Sequence, residues 1–164
     1  MPHLRETIVA SIKSKLEDII PTGGGYNYSG KLKSVQRYKH RFDGTRPQVN
    51  LTADTPTILL RVISELSSGE REYDSRSRIL EVDLEWVSRG GETSASQLTQ
   101  AIEDVERALF VNPSDLENSF GVSAGPNDFS VSLLDPVTSM QTDGFHFVVT
   151  IPYTTGLDPT TLGV

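Results

Sequence analysis

The chain contains no cysteine. Disulfides and thiolate metal sites are therefore excluded, and the redox compartment leaves no mark in the sequence. Aromatic residues make up only 7% of the 164 residues, with a single tryptophan. Hydrophobic residues reach 36%, enough for one sheet with one or two helices and much polar surface besides. No apolar run approaches the roughly 20 residues of a membrane span. The opening Met-Pro-His-Leu-Arg-Glu carries no apolar signal core, so an intracellular product is expected. Positive charge is also short. Lys and Arg number 15 against 22 Asp and Glu, a net charge of −7, which disfavours general attraction to nucleic acid or an anionic membrane.

Chemical motifs are equally scarce. His3, His40 and His146 are scattered, with no i,i+4 pair and no His-Glu-x-x-His, so no metal site is expected. The default for His146 is a solvent-facing or interface histidine. No serine sits in Gly-x-Ser-x-Gly, the strained elbow that exposes a nucleophile. Residues 25–32, Gly-Tyr-Asn-Tyr-Ser-Gly-Lys-Leu, come near a phosphate-binding loop. Leu32 replaces the hydroxyl that such a loop needs for magnesium, and the segment follows a helix where a strand is required. A flexible turn is the plainer reading. No catalytic residue and no cofactor is expected.

What is present is periodicity. Leu98, Ala101, Ile102, Val105, Ala108 and Leu109 recur at spacings of three and four, predicting an amphipathic helix over residues 95–110. Ser94 and Gln97 fit a capping box ahead of it, and Pro113 stops it. Leu4, Ile8, Ile12 and Leu16 predict a first helix over 4–20, ended by Pro21 and three glycines. Leu80, Val82, Leu84 and Trp86 alternate with Glu81, Asp83 and Glu85, the pattern of a strand with one buried and one wet face. Strands are expected at about 57–65 and 79–87, paired as a hairpin through a mobile polar loop between Ser67 and Arg78. Further strands are expected at about 129–134 and 145–153, with shorter candidates at 47–51 and around Phe120 and Val122. The tail, 154–164, has no core pattern and reads as loose. The fold class expected is α+β in a single domain, 1–164: a mixed, mostly antiparallel sheet against two main helices, with a long hairpin or arm.

Two charged groups invite a function. In the segment 31–46 Val35, Arg37 and Lys39 alternate with Gln36, Tyr38 and His40, and Lys and Arg are concentrated with Tyr38 and Phe42, which reads as an exposed strand or basic arm. Single-stranded nucleic acid suits such a mixture, but the acidic balance elsewhere favours an interface with an acidic neighbour. The candidate interface residues are Arg37, Lys39, Arg41 and Arg46, joined by Arg71, Arg76 and Arg78 from the hairpin. Glu81, Asp83 and Glu85 share one strand face. They are candidates for acid–base work or for a hard cation, for a merely solvated face, or for an acidic surface that lines something anionic and repels it.

The order of elements is similar to that of the tail terminator (tail completion) proteins of long-tailed bacteriophages. The likeness rests on the opening amphipathic helix, the basic arm, Pro-Gln-Val-Asn-Leu at 47–51 and a charged hairpin ending in Leu-Glu-Val-Asp-Leu-Glu-Trp-Val. The helix Ala-Ile-Glu-Asp-Val-Glu-Arg-Ala-Leu-Phe and the closing strands complete it. After that helix Val111-Asn-Pro-Ser-Asp-Leu116 stands in place of the Asp-x-x-Leu-Gly-Gly-like turn of many relatives. The resemblance implies a structural virion protein, assembled in the host cytoplasm. It implies a ring, commonly of six copies, that caps the head-proximal end of the tail tube and ends its polymerisation. The tube protein and the head connector would be its partners, with DNA passing through unbound. It transfers no catalytic residues. The acidic strand face, Glu81, Asp83 and Glu85, becomes a candidate lumen lining. Alternatives are another head–tail connector or tail component and, from a different class, a small enzyme or ligand-binding domain using that face.

Overall fold

The computed structural model describes residues 4–38, 49–50, 52–72, 75–89, 95–110, 129–133 and 142–156; side chains are described except at 67–72, 75–76, 95, 129–133, 142–143 and 154–156. The first helix, α1 (Leu4–Glu17), buries Ile8, Val9, Ile12 and Leu16 along one stripe. It ends three residues earlier than the periodicity predicts. The amides of Asp18, Ile19 and Ile20 bond to the carbonyls three residues back, at 3.3, 3.2 and 3.0 Å. That is the tightened last turn that satisfies helix-end groups, and it still carries Ile19 into the core, fully buried.

Among the described residues, five strands form one sheet in the order β1-β2-β3-β5-β4. β1 (Ser34–Arg37) runs parallel to β2 (Thr57–Glu72). β3 (Ser75–Arg89) pairs antiparallel with β2 and with β5 (Thr142–Gly156), and β4 (Phe129–Leu133) closes the far edge against β5. The mixed sheet with two helices is the expected α+β class. Alternation along the strands puts Ile58 and Leu60, then Leu80, Val82, Leu84 and Trp86, then Phe145, Phe147, Val149, Ile151 and Tyr153 into one core.

The second helix, α2 (Ala95–Phe110), has the bounds that its sequence stripe predicts. It adds Ala101, Val105, Ala108 and Leu109 to the same core that α1 enters, so both helices lie on one face of the sheet. Ile102 and Leu98 are only half-buried at its edge. Trp86 stacks on Phe145, with centroids 5.8 Å apart, and meets the edge of Tyr28 at 4.8 Å. Burying each large apolar side chain contributes about 1.5–3 kcal/mol, so this face holds the fold together.

Four expectations need correction. The polar stretch 67–78 is not a loop: Ser67 pairs with Arg78, Arg71 with Arg76 and Glu72 with Ser75, leaving only two residues between the strands. Backbone pairing needs no apolar side chains, which is why hydropathy missed it. β5 likewise runs to Gly156, into the segment read as a loose tail. No strand forms at 49–50; the Asn50 side chain accepts from the amides of Thr52 and Ala53, and the Asn50 carbonyl from Asp54, a side-chain-capped turn. Of the exposed strand or arm expected at 31–46, the start is a strand, β1, but it is not exposed: Leu32 and Val35 are buried and β1 joins the sheet. Residues 39–48, the short strand around Phe120 and Val122, the capping Ser94, and 157–164 lie outside the described residues.

Candidate functional site

Three polar clusters sit on this scaffold. The first lies on the sheet face opposite the helices, here the outer face. Register puts Arg61 opposite Asp83, and Glu85 opposite His146. Asp83 is only 2% exposed. Its carboxylate accepts from Arg61 Nε at 2.9 Å, and its other oxygen lies 2.9 Å from His146 Nδ1. Burial pushes the Asp83 carboxyl up, but the hydrogen bonds and charges of His146 and Arg61 outweigh it and hold the group below its ordinary range. The bond to Asp83 raises His146 above the ordinary imidazole value; burial opposes this, the charges of Asp83 and Glu85 add to it, and Arg61 detracts. Tyr38 lies against the Arg61 guanidinium, 5.9 Å from its centroid. Glu81 accepts from Ser64 Oγ at 2.6 Å.

The expectation of a wet acidic face is therefore overturned. Asp83 and Glu85 are buried within a single chain, as are Thr57, Leu59 and Val87 on the same face. Alternation in sequence reports polarity, and polarity implies exposure only where no counter-charge is at hand. Here Arg61 and His146 supply one.

The second cluster centres on Glu65, on the helix face. It accepts from Arg78 Nη1 at 3.0 Å, from Arg5 Nη1 at 3.1 Å, and from the Tyr153 hydroxyl. Burial pushes the Glu65 carboxyl up, and the three donors more than reverse that, leaving it lowered. Tyr153 is pushed up to about 12, by burial first and then by the bond and charge of Glu65. Arg5 also meets Glu6 at 3.2 Å, and Glu6 meets Arg37 at 2.7 Å. The bond from Arg37 is the main reason that the Glu6 carboxyl is lowered. An alternating chain, Arg37–Glu6–Arg5–Glu65–Arg78, thus ties β1, α1, β2 and β3 together.

The third cluster explains the glycine-rich segment. Asp104 of α2 is 1% exposed. It accepts from the amides of Asn27 and Tyr28, at 2.9 and 2.8 Å, and from Asn27 Nδ2 at 3.0 Å. Arg107 Nη1 donates to the Gly25 carbonyl at 2.6 Å, and the Tyr28 hydroxyl to the Gln97 carbonyl at 3.2 Å. Gly30 has φ +72, a left-handed conformation, and a Cβ there would come 2.9 Å from Thr22 Oγ1. Backbone amides that could cradle a phosphate are thus occupied by the protein's own carboxylate. The segment is a pinned turn, held by Asp104 and Arg107 of α2.

Of the residues singled out by sequence, Arg37 and Arg78 are joined through the Glu65 chain, and Asp83 and Glu85 lie together beside His146. Arg71 and Arg76 face each other by register near the hairpin tip. Lys39, Arg41 and Arg46 lie outside the described residues. Sequence reasoning did not single out Arg5, Arg61, Glu65, Asp104 or Tyr153. Among the described residues, no group of three or more His, Asp or Glu is placed to hold a metal ion, and no helix is long and apolar enough to cross a membrane. No protein-family model matches the chain, and no curated protein matches it.

Proposed function

We propose that the protein is a structural virion component, a tail terminator whose copies close into a ring on the head-proximal end of a phage tail tube. The ring ends tube polymerisation and offers a docking surface to the head connector, and DNA passes through it. The observation that carries this reading is the length of the ribbon β2–β3–β5. Sixteen residues of β2 span about 50 Å at strand rise, whereas the 16 residues of α2 span about 24 Å. The strands outrun the helices. Residues 67–72, 75–77 and 154–156, at the far end of the ribbon, contain no aliphatic or aromatic side chain. A polar, hydrogen-bonded projection without a core of its own suits contact with a neighbouring subunit. A closed ring needs two different surfaces to meet, and a projection meeting a body provides them. The buried Asp83 and Glu85 do not support a lumen lining made of the acidic row, so this reading no longer rests on them.

The test is sedimentation velocity at several concentrations, with binding to tube ends by negative-stain microscopy. Arg71→Glu combined with Arg76→Glu reverses charge near the projection's tip. It is expected to abolish the ring or the bound cap while leaving the chain folded, as judged by circular dichroism. A wild-type protein that stays monomeric, fails to bind tube ends and turns over or tightly binds a small molecule would defeat the proposal in favour of the enzyme class.

A further inference from the structure

We draw no further inference here: the strongest candidate, the apolar surface patch that register lays across the outer face of the ribbon from Leu66 of β2 through Ile79 of β3 to Pro152 of β5, carries none because nothing among the described residues shows what covers it.

Discussion

Removing the Asp104 carboxylate is the most direct probe of how the two halves of the helical layer are joined. In Asp104→Ala the amides of Asn27 and Tyr28 and the Asn27 side chain lose their acceptor together. A buried donor left unsatisfied costs about 1–3 kcal/mol. Asn27 is exposed and water can replace the carboxylate there, whereas Tyr28 is half-buried, with its ring against Trp86. The loss should therefore be close to one full penalty plus a fraction of another, about 2 kcal/mol. For a chain of this length that lowers the melting temperature by about 4–8 °C. Asp104→Asn keeps one acceptor oxygen and should lose about half as much. Glu103→Ala, one residue away and exposed, should stay within about 0.5 kcal/mol. The chain's single tryptophan is the local reporter, because loosening of the turn withdraws Tyr28 from Trp86 and shifts its emission. An Asp104→Ala protein with wild-type urea midpoint and unchanged Trp86 emission would refute the assignment of this carboxylate as the turn's anchor.

Two further outcomes follow from the core and from the Glu65 cluster. Val105→Asp puts a charge at a position 1% exposed and should abolish folding, whereas Ile102→Asp, at the half-buried edge of the helix, should leave a folded, weakened protein; circular dichroism separates them, and equal damage from both would contradict the helix's rotation. In a spectrophotometric titration one of the five tyrosines should ionise only near Tyr153's value of about 12. The stability linked to it is complete below the unfolded value of about 10 and is lost as pH rises through the folded one. Glu65→Gln should bring that late step down, though burial keeps it above 10; an unchanged late step would mean that Glu65 is not its partner.

The parts of this fold legible in sequence are those where burial and polarity agree. In α2, apolar spacing coincides with the buried stripe, and the predicted bounds match. The core face of β3 was legible for the same reason. The outer face was not, because Asp83 is polar and buried at once, and only its pairing with Arg61 and His146 makes that tolerable. That pairing depends on register. Two irregularities in β2, at 62–64 and 67–71, displace its partners on β3, so counting outward from the hairpin tip does not align Arg61 with Asp83. Asp104 was hidden differently. Its partners lie some 77 residues earlier in the chain, and no local pattern distinguishes it from the solvent-facing Glu103. Candidate interface arginines were found by charge alone, which does not reveal that Arg37 and Arg78 already have acidic partners within the chain.

That distinction bears on which charges remain for a neighbour. Arg37 and Arg78 are joined through Glu6, Arg5 and Glu65 into a chain that fastens α1 to the sheet. Reversing either would first disturb the protein itself. Arg71 and Arg76 are placed elsewhere, opposite one another on adjacent strands beyond the last large apolar row of the ribbon. Reversing them leaves the chain through Glu65 untouched, which is why the ring test places its substitutions there.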